Sequence, residues 1–540
     1  MKAKPNRRTV IAGGASLAVI GGLAVSGCKS EPLFPGTLGG SDFSRGHRLR
    51  DGNLRAVVGK TDGIPLLIAG GGVAGLSAGW RLAEAGFKDF LLYELEDAVG
   101  GNARSGHNAV SRYPLGAHYL PVPNREAKAL RHMLTGFGVI TGEDASGAPV
   151  YDPYQLCADL EERLLWRGSW QEGLYPKSGL SVSDKMQRDR FFELMETMKG
   201  AIGADGLPAF ASPMAYSSKD RVYTALDGQN FASWLTSEAF TSEPLLHHIR
   251  YCCRDDYGTE PEQVSAWAGI HYFASRRGWA SGRDGDRELT WPEGNGRLIG
   301  HMRRMIEPNI RPAHSVFGVR QEDGQIILDH FDHNIEQAGQ TRARAGIVAV
   351  PHFIASRLTG GKAHGTFSYA PWVVANITVS RPPQGPGSPR AWDNVAATSE
   401  SLGYVVATHQ DTSRAQGPTV LTWYRPFSKE APEEAREVLL SRTLREWQDI
   451  VVDDLLQMNP DLEGAIKRID VWRWGHAMIR PTTGFLTDPA RMQAQAENGP
   501  LYFAHSDLSG LSLFEEAHYR GVVAAEAAMR SLGHKFESLL

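Results

Sequence analysis

Pro65-Leu66-Leu67-Ile68-Ala69-Gly70-Gly71-Gly72-Val73-Ala74-Gly75 is an apolar run that passes directly into a glycine loop. The run suits a strand buried on both faces, as in a parallel sheet. The loop fits G-x-G-x-x-G, with Gly70, Gly72 and Gly75 at the three glycine positions. Good helix formers follow over 76–85 and stop at Gly86, and Phe90-Leu91-Leu92-Tyr93 is a second apolar run ending at Glu94. This order predicts a strand–turn–helix–strand unit that cradles a dinucleotide. Gly70 permits the tight turn, Gly72 lets the backbone approach a pyrophosphate, and Gly75 lets helix and strand pack closely. The free N–H groups of Val73 and Ala74 at the helix start suit phosphate, and Glu94 is placed to accept from ribose hydroxyls. Gly75-Leu76-Ser77-Ala78-Gly79 also fits the G-x-S-x-G nucleophile elbow. That reading leaves Gly70, Gly72 and Glu94 unexplained.

Downstream, Gly100-Gly101-Asn102-Ala103-Arg104 and Gly116-Ala117-His118 continue the pattern. The block 68–102 resembles the FAD-binding region of the flavin amine oxidase and phytoene desaturase superfamily, whose Gly-Gly pair passes close to the flavin side of the cofactor. The resemblance implies FAD, held non-covalently, with Gly101, Asn102, Arg104, Gly116, Ala117 and His118 beside it. Asn102 stands where that family often has Arg. Near the C-terminus, Leu501-Tyr502-Phe503-Ala504-His505-Ser506-Asp507, then a helix from about Leu513, resembles the family's closing motif. There the acid, Asp507 here, binds the ribityl or phosphate region, and the helix start points at the flavin. His505 replaces the usual Gly. A hairpin around Asp323-Gly324 and a strand over 345–351 complete the likeness, with the backbone at Val316 beside adenine.

The fold expected is α/β: a discontinuous Rossmann-like FAD domain (61–150, 290–360 and 495–540) and an α+β substrate domain (151–289 and 361–494) built on a mostly antiparallel sheet. Residues 432–458 read as one long amphipathic helix, and 245–272 as helical with a break near Gly258. Trp472-Arg473-Trp474-Gly475-His476 resembles the segment closing the substrate cavity of amine oxidases. Trp474, His476 and His118 are therefore the candidates for chemistry, with core packing as the plain alternative for the tryptophan, a hydrogen-bonded structural role for His118 and a surface position for His476. An amine substrate oxidised by hydride transfer to flavin N5 is the expectation. A lipid or isoprenoid desaturase and a non-catalytic flavin carrier stay open, as does the electron acceptor (oxygen, quinone or a redox protein).

Net charge is −4, so nothing suggests a nucleic-acid partner. Neither H-e-x-x-H nor paired C-x-x-C occurs, so no metal site is expected. The N-terminus is distinctive. Lys2, Lys4, Arg7 and Arg8 precede an apolar run from Val10 to Val25, which ends in Ser26-Gly27-Cys28. This predicts a twin-arginine signal over 1–28 with a lipid anchor on Cys28, a periplasmic or membrane-anchored location, and a linker over 29–60.

Overall fold

A computed structural model describes residues 31–52, 54, 63–361, 366–411, 413, 416–495 and 499–540. The expected signal peptide, with Arg7, Arg8 and Cys28, lies outside the described residues.

Two sheets organise the chain. The first has seven strands and is built on the Gly63–Ala69 strand, which pairs in parallel with Phe90–Tyr93 on one side and Gln337–Val348 on the other. Gln337–Val348 is longer than the sequence pattern implied because it serves two further partners besides Gly63–Ala69. Its first half pairs antiparallel with Gln325–Asp332, making a meander with His314–Glu322. Its last residues pair in parallel with Leu501–Phe503. The hairpin turn falls at Asp323-Gly324, both with positive φ. A strand from near the C-terminus thereby joins the sheet one strand away from the glycine-loop strand.

The Val73–Glu84 helix starts three residues before the sequence suggested and packs against the final helix, Phe514–Ser531. Their contact is close because it is made through small residues: a Cβ on Gly521 would lie 2.3 Å from the Ala74 carbonyl oxygen. Arg81 pairs with Glu526 at 3.0 Å, both side chains almost wholly buried, which ties the two ends of the chain. Ser77 is buried within the first of these helices and bonded to His518 at 3.0 Å, so it is no nucleophile elbow.

The second sheet has eight strands, mostly antiparallel, with Ile466–Ile479, Tyr369–Val379 and Thr419–Pro426 adjacent near its middle. Tyr369–Val379 is buried along its whole length, covered on both faces. The helix expected over 432–458 is two helices, Pro432–Ser441 and Leu444–Met458. Arg442 turns extended, and Thr443 begins the second helix with a capping box to Glu446, a local bond set that outcompetes continuation. Gly258 ends Glu243–Tyr257 in the left-handed conformation, and Ala266–Ala274 follows.

The stretch expected to be a linker is partly ordered into the fold. Leu38–Gly40 adds an edge strand parallel to Val471–Arg473, and Phe43–Arg50 is a helix. No hydrophobic periodicity signalled this because only Phe34, Leu38 and Leu49 pack by side chain, and the rest of the docking is made by backbone. A Cβ on Gly36 would lie 1.8 Å from the Ile469 carbonyl oxygen, and Gly39 lies flat on the Trp472 ring.

Candidate functional site: a cavity between the two sheets

Sequence and sheet order place the glycine loop at the carboxyl end of a central parallel strand, where ligands of open α/β sheets bind. A cavity of about 420 Å³ begins there and runs between the sheets. Gly70 holds φ +104°, which an L side chain rarely adopts, and a Cβ on Gly75 would lie 1.9 Å from the Gly70 carbonyl oxygen. Gly72 differs. Its φ of −71° is ordinary, and the nearest atom to an added Cβ is the Gly101 Cα at 4.0 Å. The space beside Gly72 is therefore cavity. No side chain caps the helix that starts there, so the first-turn N–H groups are free for a ligand.

Glu94 is buried at the end of its strand and accepts from the Gly71 N–H (2.7 Å) and the Glu96 N–H (2.9 Å). Burial raises its pKa above the ordinary carboxylate value. Arg104 projects from beyond Gly101 between Trp472 and Trp474, its guanidinium 5.1 and 5.4 Å from their ring centroids, and pairs with Glu96 at 3.3 Å. Its Nε is buried without a partner. A cradle beside Gly72 and an orphaned guanidinium N–H lining the same cavity together fit a diphosphate.

Gly70, Gly72, Val73, Ala74, Glu94, Gly101, Asn102, Arg104, Gly116, Ala117, His118, Val316, Asp507 and Leu513 all line this one cavity, as do His476 and Trp474. Gly75 stands behind the lining, where it sets the helix–strand contact. Asn102 donates to the Ala477 carbonyl and thus ties the Gly-Gly loop to the second sheet. Asp507 is engaged by protein: it accepts from the His352 N–H (2.8 Å) and Tyr369 hydroxyl (2.6 Å) and meets His505 Nδ1 at 2.9 Å. Burial would raise its pKa, but His505 and these bonds outweigh burial and hold it below the ordinary value. His505, the departure from the family motif, thus keeps Asp507 ionised.

The three candidates for chemistry take different positions. Trp474 donates its indole N–H to the Leu115 carbonyl (2.6 Å), which fixes the start of the Gly116-Ala117-His118 loop. His118 lies among Tyr119, Trp392 and Tyr424, and His476 stacks on Phe353 at 4.3 Å. Burial lowers both imidazoles to about 4. Both are neutral at pH 7, so neither donates a proton from an imidazolium there.

The far end of the cavity was not anticipated from sequence. Asp255 and Asp256 line it, with Arg276, Tyr119, Tyr424 and Glu515. Arg276 donates to both oxygens of Asp256 (3.0 and 3.1 Å), and Tyr119 bridges the two aspartates (3.2 and 3.3 Å). Asp393 stands behind, accepting from Tyr251 and Tyr424. Burial raises both Asp255 and Asp256, with repulsion from Asp256 adding to the rise of Asp255, and burial raises Glu515 to about 7 and Glu288 to about 8. Arg276 is the one cation lining the cavity at this end. The only sequence signal was an acidic doublet, Asp255-Asp256, inside an otherwise apolar helix face.

Residues 68–137 match the family described as NAD(P)-binding Rossmann-like domain. Polyamine oxidase 7 of Oryza sativa subsp. japonica is 36% identical over 116 residues, which span 19% of this chain and 23% of that protein. Among solved structures, putrescine oxidase bound to putrescine superposes with a TM-score of 0.61 at 16% identity, covering 87% of this chain and all of that one. Cyclohexylamine oxidase from Brevibacterium oxydans IH-35A gives 0.60 at 15%, covering 87% and 99%. A CLA-producing fatty acid isomerase from P. acnes gives 0.57 at 15%, covering 86% and 98%. The chain shares the fold of these solved structures.

Proposed function

We propose that this chain is an FAD-dependent oxidoreductase of the flavin amine oxidase type that oxidises a cationic amine. The observation that carries the reading is one cavity with a dinucleotide cradle at one end and a wall of buried carboxylates at the other. FAD is favoured over NAD(P) because the lining continues past the cradle, from Gly101 through Gly116-Ala117-His118 to the start of the Phe514–Ser531 helix. When bound, FAD supplies the hydride acceptor. Gly70–Gly75, Glu94 and Arg104 hold its dinucleotide portion, and the uncapped start of the final helix offers N–H groups to its ring.

The protein's own residues then do three things. Tyr119, Trp372 and Tyr424 wall the substrate space and exclude water from it. Asp255 and Glu515 attract an ammonium and take up its proton as the neutral amine forms. Neutral His118 and His476 add no positive charge to repel it. An apolar lipid or isoprenoid would leave these carboxylates buried without a counter-charge, a costly arrangement that argues against the desaturase reading. A cavity wide enough for a small molecule argues against a sealed electron carrier. The amine-oxidase names among the similar proteins agree with the reading. Reconstitution with FAD and anaerobic titration with amines tests it. Bleaching of the flavin band supports it, flavin that no amine reduces overturns the amine part, and failure to take up FAD overturns the whole.

A pH dependence follows. The carboxylates have folded-state pKa values raised from 4.5 to about 7 for Glu515 and about 8 for Glu288, so their contribution to stability is present at low pH and lost as pH rises through 7 to 8. The buried His271 and His518, lowered from 6.5 to about 4, act oppositely, costing stability as pH falls from 6.5 to 4. Above pH 6.5 only the carboxylates remain, so thermal denaturation of the free protein should show a falling midpoint from pH 6.5 to 8.5. Saturating amine should reverse that fall, and KM should drop over the same range as the carboxylates ionise while the ammonium stays charged. A flat KM profile would count against the carboxylate wall.

We also propose export by the twin-arginine route, with Cys28 lipidated. Both chain ends meet at the Arg81–Glu526 pair and the cofactor cradle, so folding must be complete before FAD is held, and twin-arginine export carries folded proteins. Replacing Arg7 and Arg8 by Lys should leave flavin-loaded protein inside the cell. Unchanged export would refute this.

A further inference from the structure

We infer that the N-terminal segment Leu38–Arg50 is a wall of the site for the adenosine half of the dinucleotide, and that its docking and dinucleotide binding reinforce one another. The inference rests on the dinucleotide reading of the cavity. Ser41, Gly46 and Leu49 line that cavity. Gly46 and Leu49 lie three apart on the Phe43–Arg50 helix and so share a face. Leu49 packs against the same cluster as Val316, Val350 and Ile354, which puts it at the Val316 end of the cavity. A Cβ on Gly46 would meet nothing within 4 Å, so this position, like Gly72, faces open space.

The segment is fastened to the residues that carry the ribose acid. The Asp42 N–H donates to Glu96 (2.9 Å), and the Glu96 N–H donates to Glu94 (2.9 Å). Arg45 donates to the Leu95 carbonyl (2.9 Å) and to Asp97 (2.8 Å). Glu96 also pairs with Arg104, whose guanidinium lies over Trp472, and Gly39 lies against the same indole. Docking of the segment therefore sets the positions of Glu94, Glu96 and Arg104 together.

These fastenings are individually weak. No residue of the Phe43–Arg50 helix is fully buried, the edge strand has three residues, and the Arg45–Asp97 pair is exposed on the aspartate side. A segment held this lightly gains much of its stability from whatever fills the space beneath it. By linkage, a ligand that binds only the docked arrangement favours docking, and docking raises its affinity by the same factor.

Two full-length variants test this, Gly46→Phe, which fills the space, and the double change Asp42→Ala with Arg45→Ala, which removes the Asp42 cap of the helix and the Arg45 bonds to Leu95 and Asp97. FAD binding is read by flavin fluorescence, ADP binding by calorimetry, and hydrogen exchange of residues 38–50 is followed with and without FAD. The expected result is that both variants bind FAD and ADP about tenfold more weakly than wild type, with the free-protein melting midpoint little changed. Exchange over 38–50 should slow on FAD addition in wild type. If wild type binds FAD while the double variant binds it equally tightly and exchange over 38–50 is unaltered, the inference is overturned and the cofactor reading stands. If wild type binds neither FAD nor ADP, the dinucleotide reading itself fails.

Discussion

Replacing Gly72 by aspartate should abolish FAD binding and leave the fold intact. Gly72 has ordinary backbone angles, and a Cβ there approaches nothing nearer than 4.0 Å, so the free protein accommodates a side chain. Aspartate is also a favoured residue at a helix N-cap, the position Gly72 holds, so the melting midpoint should stay level or rise slightly. The carboxylate would occupy the space expected to take phosphate and would repel it. A loss of about 3 kcal/mol or more, over a hundredfold in affinity, is expected by equilibrium titration. Gly75→Ala is the contrasting control. Its Cβ would sit 1.9 Å from the Gly70 carbonyl oxygen, so it should damage folding before binding. A Gly72→Asp protein that binds FAD as tightly as wild type would remove the cradle from the account.

Asp255→Asn should pull function and stability in opposite directions. Asp255 accepts from Tyr119 and has no cationic partner of its own, whereas Asp256 is held by Arg276. The amide is nearly isosteric and cannot attract an ammonium. KM for the amine should rise by about thirtyfold, the worth of one charged hydrogen bond of about 2 kcal/mol, with kcat less affected. The same change removes a buried charge that repels Asp256, so the free protein at pH 8 should melt higher than wild type. A loss of both stability and activity would assign Asp255 a purely structural role.

Much of the dinucleotide cradle was legible in the sequence, because its requirements are local. Three glycines, a buried strand and an acid at fixed spacing each answer one steric or electrostatic need. The return of Leu501–Phe503 and the final helix to that cradle was legible only through resemblance, since pairing between residues 346 and 501 leaves no local trace. The carboxylate wall was not legible. Asp255 and Asp256 meet Tyr119 and Arg276 across more than a hundred residues in one direction and twenty in the other, and a helical acidic doublet more often faces solvent. The segment 31–52 was misjudged because close glycine backbones and three apolar side chains without a helical or strand period, Phe34, Leu38 and Leu49, dock it. The long helix over 432–458 failed for a complementary reason: its amphipathic period continues across Thr443, while a capping box there decides in favour of a new start.

The account stands on a single cavity joining a flavin cradle to a cation site. Its most direct test is anaerobic mixing of the FAD-reconstituted protein at pH 8 with a primary amine and, separately, with the alcohol of the same carbon skeleton. The account predicts bleaching of the flavin band by the amine, weakened in Asp255→Asn, and none by the alcohol. Equal bleaching by both, or by the alcohol alone, would contradict it.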